Sequence, residues 1–197
     1  MNNKLTKSER KAMREAVEKI HDKDPAYKRA SNIGFLFYLA TVIICVFAFR
    51  NFLMEPIDVD GISMNYTLLD RERMLVEKVS MWLHKPERGE IIIVYYPGYT
   101  QSCVKRVIGL PGETVEIRGG ETYIDGKKLA EDYLFEPMFY DMPPVTVPEN
   151  SVFVMGDNRN SSEDSRDPNV GSIPFHKIVG RVVAVMWPPD SIRSMTG

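Results

Sequence analysis

The sequence predicts a mainly β protein: an antiparallel β domain carried by one N-terminal transmembrane helix. Three observations lead there. Ile33 to Phe49 read "IGFLFYLATVIICVFAF", seventeen residues without a charge. Beyond Met54 the chain breaks into short runs rich in Val, Ile and Tyr, separated by turn signals. The charge is also divided: residues 1–30 hold nine Lys/Arg against five Asp/Glu, and residues 31–197 hold sixteen against twenty-two.

Residues 1–32 form a charged leader. "KLTKSERKAMREAVEKIHDKDPAYKRAS" has helix-forming composition and fits either a helix lying on a membrane face or a solvated tail. Residues 33–54 are the expected span, because the apolar run extended through "RNFLM" approaches the roughly 20 residues a bilayer-crossing helix needs. A buried core helix would seldom follow such a leader and precede a β-rich region. A cleaved signal peptide needs a small-x-small site, which "VFAFRNF" lacks. Lys28 and Arg29 precede the run and only Arg50 closely follows it. The positive-inside rule then puts the N-terminus in the cytoplasm and residues 55–197 outside.

Those outer residues read as one β domain, with 113–150 as a candidate subdomain. The strand-like runs are "MLVEKV", "EIIIVYYP", "CVKRVIGL", "ETVEIRGG", "ETYIDGKKL", "SVFVMGD" and "KIVGRVVAVMW". Asp125-Gly126 predicts a tight hairpin between "ETYI" and "KKLA". "FEPMFYDMPPVTVPEN" is Pro-rich and predicts a surface loop. Cys45, in the span, and Cys103, outside it, are poorly placed to pair, so no disulfide scaffold is expected.

The chemistry centres on "DVDGISMNYTLLD", where Ser63 follows the span by a few residues. Gly61-Ile62-Ser63-Met64-Asn65 lacks the last glycine of a nucleophile elbow, and the formal S-x-x-K match Ser8–Lys11 falls in the polar leader. A Ser-His pair needs a histidine outside. His21 is on the wrong side, and His84 and His176 flank charged, loop-like stretches. No H-E-x-x-H, paired C-x-x-C or phosphate loop is present, so neither metal nor cofactor is expected, and no segment suggests nucleic-acid binding. A lysine serves as base when burial lowers its pKa from about 10.4 by penalising the charged form. Strand alternation puts Cys103, Lys105 and Val107 on one face, opposite Val104, Arg106 and Ile108. Locally, a lysine snorkelling at a strand edge accounts for Lys105 better than a buried base, and spacing alone does not bring it to Ser63.

Four blocks in order, "GISMNYTL", "RGEIIIVYYP", "VKRVIGLPGE" and "GDNRNSSEDSR", give the region from the span to about Trp187 a wider meaning. It resembles the type I signal peptidases, membrane-bound Ser-Lys endopeptidases that remove signal peptides from exported preproteins. The short chain and single span look like the form common in Gram-positive bacteria. The resemblance implies Ser63 as nucleophile and Lys105 as general base, with the Ser162 hydroxyl orienting the lysine. It implies that Val94, Cys103 and Val154 shield the amine, and that Asp164 and Arg166 form a buttressing charged pair beside Asp157. With Gly61 where some relatives have a serine, the oxyanion would be held by backbone N–H groups, chiefly that of Ser63.

Ile57, Val59, Met64, Leu68 and Val104 match positions lining small pockets for the −1 and −3 side chains, which implies A-x-A-type sites. The substrate would pair as an added strand beside Asp58 and the strand of Lys105. Tyr66 stands where many relatives have proline, so the turn after Ser63 is expected to lose a fixed φ. Trp82 and Trp187 could seat the domain at the headgroups or pack in its core. The implied whole is a single-pass serine endopeptidase of a bacterial plasma membrane, with a cytoplasmic N-terminus and an extracytoplasmic catalytic domain. Its partners are preprotein signal peptides and the bilayer. The alternative is a non-cleaving relative that binds exported or surface-assembled proteins.

Overall fold

The computed structural model describes residues 6–23, 25–49, 53–98 and 100–195. The chain divides into two compact units, Met1–Phe49 and Arg50–Gly197. The first holds two helices, α1 (Lys7–Lys23) and α2 (Pro25–Ala48). Thr6 and Glu9 start α1 with a reciprocal cap: the Thr6 backbone N–H donates to Glu9 Oε2 at 2.7 Å and the Glu9 N–H to Thr6 Oγ1 at 3.4 Å. The leader is therefore helical over much of its length. Proline opens α2, where its missing N–H costs nothing. Thr41, inside the apolar run, returns its hydroxyl to the Phe37 carbonyl at 2.9 Å. The helix starts earlier and ends earlier than the expected span of 33–54, and Met54 belongs to the first strand. Among the described residues no helix is long and apolar enough to cross a membrane.

The second unit is antiparallel β throughout its pairings. Its strands are β1 (Met54–Asp58), β2 (Arg73–Glu77), β3 (Ile91–Tyr95), β4 (Ser102–Gly109), β5 (Thr114–Arg118), β6 (Glu121–Ile124), β7 (Lys127–Lys128), β8 (Met142–Thr146), β9 (Ser151–Met155), β10 (Ile173–Pro174), β11 (Ile178–Trp187) and β12 (Arg193–Ser194). The larger sheet has the order β1-β2-β11-β3-β4-β9-β10, with β12 on β11; the smaller has the order β7-β6-β5-β8. The smaller sheet occupies the stretch expected as a subdomain. Asp125 and Gly126 both have positive φ, 49° and 76°, as the predicted tight hairpin requires.

The Pro-rich stretch is not all loop. Met142–Thr146 pairs with β5 as the edge of the small sheet, where two prolines forfeit few ladder bonds. β3 and β9 are buried on both faces, which is why their sequences are unbroken apolar runs rather than alternations. Ile91 and Ile93 of β3 join Val59, Met64, Leu68, Met74, Val76 and Val104 in one core, whereas Ile92 and Val94 join Val107, Val152, Val154 and Ile173 in another. A third core under the small sheet holds Val115, Ile117, Ile124, Phe153 and Met155.

Arg159 ties the small sheet to the loop after β9. Its side chain, 1 % exposed, donates to Glu131 Oε2 at 3.0 Å, Glu131 Oε1 at 2.5 Å, Thr122 Oγ1 at 3.1 Å and the Gly156 carbonyl at 3.1 Å. Burial pushes the Glu131 carboxyl up, but the hydrogen bonds and charge of Arg159 outweigh it and hold the group below the ordinary range. Removing one member of such a buried pair strands the other charge. Arg159→Ala is expected to destabilise the domain by about 3–5 kcal/mol in equilibrium urea unfolding. A change below about 1 kcal/mol would contradict that role.

Candidate active site

Ser63 sits in the connection between β1 and β2, a hairpin whose mouth is closed by the Asp58–Arg73 pair, with Arg73 Nε 2.6 Å from Asp58 Oδ1. Just inside, the Val59 N–H donates to the Glu72 carbonyl and the Arg71 N–H to the Val59 carbonyl. Gly61, at φ +97°, gives its N–H to Asp70 Oδ1 at 2.9 Å. Residues 62–68 then coil: the Asn65 N–H reaches the Ile62 carbonyl, and those of Thr67 and Leu68 reach the Met64 carbonyl. Met64 and Leu68 point inward and are fully enclosed, which pins the coil to the core and leaves Ser63 half-buried beside it.

Lys105 approaches from the middle of β4. Its amine donates to Ser63 Oγ at 2.7 Å and to the Val104 carbonyl at 3.0 Å, and the residue is only 3 % exposed. Burial lowers its pKa, while Cys103, Asp164 and Glu163 pull the other way and Arg166 assists. Cys103 lies on the same strand face and is half-buried; Val94 and Val154 are fully enclosed in the adjoining core. The alternation expected for β4 holds, and the strand-edge reading of Lys105 does not, since β4 is paired on both sides.

The loop after β9 completes the surroundings. The Asn158 N–H donates to the Ser63 carbonyl and its side-chain amide to the Ile62 carbonyl, both at 3.0 Å. A Cβ on Gly156 would overlap Ser162 Oγ and the Ser63 carbonyl oxygen, so glycine alone lets this loop lie against the Ser63 coil. Ser162 does not direct its hydroxyl to Lys105, as the resemblance implied; it donates to Asp164 Oδ2 at 2.7 Å. Arg166 in turn grips both Asp164 oxygens at 2.7 Å, and the Gly156 N–H donates to Oδ2 at 2.9 Å. Asp157 works elsewhere. It pairs with Arg106, on the face of β4 opposite Lys105, at 2.6 and 2.8 Å.

A cleft of about 470 Å³ opens beside the Ser–Lys contact, lined by Ile57, Val59, Val104, Ser63 and Lys105 among others. Three of the five expected pocket residues thus border it. Met64 and Leu68 are core instead. Neither His84 nor His176 lines this cleft, and both are exposed. Trp187 is 57 % exposed, and the side chain of Trp82 lies outside the described residues. Among the described residues no three His, Cys, Asp or Glu side chains converge as metal ligands would.

The family described as "Signal peptidase, peptidase S26" matches residues 32–187, most of the chain. This protein belongs to that family. The peptidase is 41% identical over 158 residues to the probable signal peptidase I-1 of Synechocystis, covering 76% of this chain and 80% of that one. It is 36% identical over 177 residues to signal peptidase I S of Bacillus subtilis, covering 84% and 95%. A crystal structure of a signal peptidase I from Enterococcus faecalis aligns at 39% identity with a TM-score of 0.45, over 50% of this chain and 97% of that one.

Several residues around the pair were given no role by the sequence. Arg106 was placed only on the strand face opposite Lys105, Asn158 and Arg159 only inside the block "GDNRNSSEDSR", and Glu131 not at all; the one local signal was Gly156 after the apolar "SVFVM", a glycine where close backbone approach is common. The lowered pKa of Lys105 also has a thermodynamic consequence. Between that value and the ordinary 10.5, the unfolded chain binds a proton that the folded chain does not, so stability rises with pH across this window. Lys105→Met should therefore be more stable than wild type at neutral pH, with the gap closing as pH rises toward 10.5, by urea unfolding at each pH. A gap constant with pH would contradict a buried, easily deprotonated amine.

Proposed function

We propose that this chain is a membrane-anchored serine endopeptidase that removes N-terminal signal peptides from exported preproteins with a Ser63–Lys105 dyad. The observation that carries the mechanism is the 2.7 Å contact between Lys105 Nζ and Ser63 Oγ at a site with 3 % lysine exposure. With the amine neutral, the Ser63 hydroxyl donates to its lone pair. As Oγ attacks the scissile carbonyl, the proton passes to Nζ. The ammonium then protonates the departing amine as the C–N bond breaks, leaving an acyl-Ser63 ester and a neutral lysine. Water enters, gives its proton to Lys105, and its oxygen displaces Oγ, which takes that proton back.

The other assignments follow the same geometry. The Ser63 N–H, in the coil that follows Gly61, would hold the oxyanion. Ser162, Asp164, Arg166 and Asp157 fix the loop that holds Ser63. The small apolar walls of Ile57, Val59 and Val104 favour alanine at −1 and −3, with Met64 and Leu68 backing them from the core. Residues 1–32 are the cytoplasmic leader, 33–54 the anchor and 55–197 the extracytoplasmic domain. The support for the anchor is the uncharged run with Phe35, Leu36, Phe37, Ile44 and Phe47 each more than 60 % exposed, surface that water disfavours. The signal peptidases named above favour cleavage over a non-cleaving accessory role.

A precursor with an A-x-A site, incubated with the full chain in vesicles, tests the reading. Ser63→Ala and Lys105→Ala should each lower kcat by at least about a thousandfold. Wild-type activity should fall as pH drops through the lowered Lys105 pKa, because protonation removes the base. Full processing by Ser63→Ala, or a rate flat to pH 5, would overturn the dyad. In right-side-out vesicles, external protease should digest the domain 55–197 and spare the leader; loss of the leader tag instead would reverse the topology.

A further inference from the structure

Tyr66 follows Ser63 by three residues and has φ +78°, a left-handed conformation that side chains rarely adopt and that proline cannot reach. Turns hold such a residue only where neighbouring contacts determine it. Here the ring lies flat on Phe135, with centroids 4.4 Å apart and planes 12° from parallel. Both rings are outside the core: Tyr66 is 56 % exposed and Phe135 72 % exposed. The stack thus lies at the surface, apart from the three buried cores.

Phe135 is presented by a tethered loop. Glu131 at one end is gripped by Arg159. Farther along, the Asn160 side-chain amide donates to Glu136 Oε1 and the Pro137 carbonyl at 3.0 Å, and its Oδ1 accepts the Phe139 N–H at 3.1 Å. Arg159 and Asn160 belong to the same loop whose Asn158 holds the Ser63 and Ile62 carbonyls. One loop therefore reaches the Ser63 coil twice, directly from its N-terminal side and indirectly, through Phe135, from its C-terminal side.

From this geometry we propose that the Tyr66–Phe135 stack is a clasp that positions Ser63 toward Lys105. It deepens the dyad reading above and rests on it. Neither Tyr66 nor Phe135 lines the cleft beside Ser63 and Lys105, so they are positioning residues. Losing the clasp lets the coil 62–68 sample geometries in which Ser63 Oγ leaves the reach of the amine. That reduces the reactive fraction of bound substrate without altering the pocket that binds it, so kcat falls and KM does not.

The test uses full-length protein in vesicles with an A-x-A precursor, measuring kcat and KM for wild type, Phe135→Ala, Phe135→Tyr, Tyr66→Ala, Tyr66→Pro and the double alanine variant. Ser63→Ala serves as the control for the dyad. Phe135→Ala and Tyr66→Ala should each lower kcat about two- to tenfold, the worth of one aromatic pair, with KM within about twofold. Phe135→Tyr, which keeps a ring, should recover most of the rate. The double variant should fall no further than the worse single one, because both remove one interaction. Tyr66→Pro, which forces φ out of the left-handed region, should fall at least as far as Tyr66→Ala. Thermal midpoints identify a general loss of folding. Wild-type kcat in Phe135→Ala, single losses that multiply in the double variant, or a loss confined to KM would overturn the clasp. If Ser63→Ala itself processes the precursor, the dyad reading fails rather than the clasp.

Discussion

A primary amine kept out of water is the constraint around which the larger sheet is arranged. Lysine normally escapes burial by extending its ammonium to solvent, and desolvating it otherwise costs several kcal/mol. Lys105 has no such exit. It stands near the middle of β4, flanked along its face by Cys103 and Val107, with β3 on one side and β9 on the other. Both neighbours are largely apolar, and among the described residues the amine hydrogen-bonds the Ser63 hydroxyl and the Val104 carbonyl. The penalty is tolerable because losing a proton is easier than being hydrated there. A depressed pKa is the form the cost takes.

Three arginine–carboxylate pairs carry the remaining precision. Arg106–Asp157 and Arg159–Glu131 join residues 157–166 to β4 and to the segment after β7, Arg166–Asp164 braces that stretch internally, and all three are largely or wholly buried. A bidentate guanidinium fixes direction as well as distance, which a lysine would not. The loop after β9 is irregular in backbone, yet these forks and the Asn158 amide make it as definite as a strand. It needs that definition because it bears on the Ser63 carbonyl from one side while Gly156 removes the Cβ that would hold it off.

The strands that proved easiest to read were those with the simplest burial. β3 and β9 appear as apolar runs and β4 and β11 as Val- and Ile-rich stretches because they lie inside the sheet, and Asp125-Gly126 announces its turn chemically. β1 and β8 were harder. β1 follows directly on the apolar run and blends into it, and β8 hides behind two prolines that only an edge position excuses. Ser63 and Lys105 could be singled out individually, but 42 residues separate them and their contact is a product of topology. The partner of Ser162 was misjudged for a related reason: a hydroxyl chooses among nearby acceptors, and sequence order does not rank Asp164 against Lys105. Met64 and Leu68 were expected at the pockets because they match family positions that line them, whereas here the coil turns them into the core.

Adjacent residues of β4 meet their surroundings in opposite ways. Arg106 faces one way and is neutralised by Asp157. Lys105 faces the other, where among the described residues no carboxylate lies within ion-pairing distance. Of the carboxylates, Asp164 acts most strongly on the amine, since a negative charge there stabilises the ammonium and opposes the effect of burial. Arg166 offsets part of this by holding both oxygens of Asp164, and Ser162 adds a further bond to the same group. The charged pair thus does two things at once. It braces the loop against the Ser63 coil, and it keeps a negative charge close to the amine while spending that charge elsewhere.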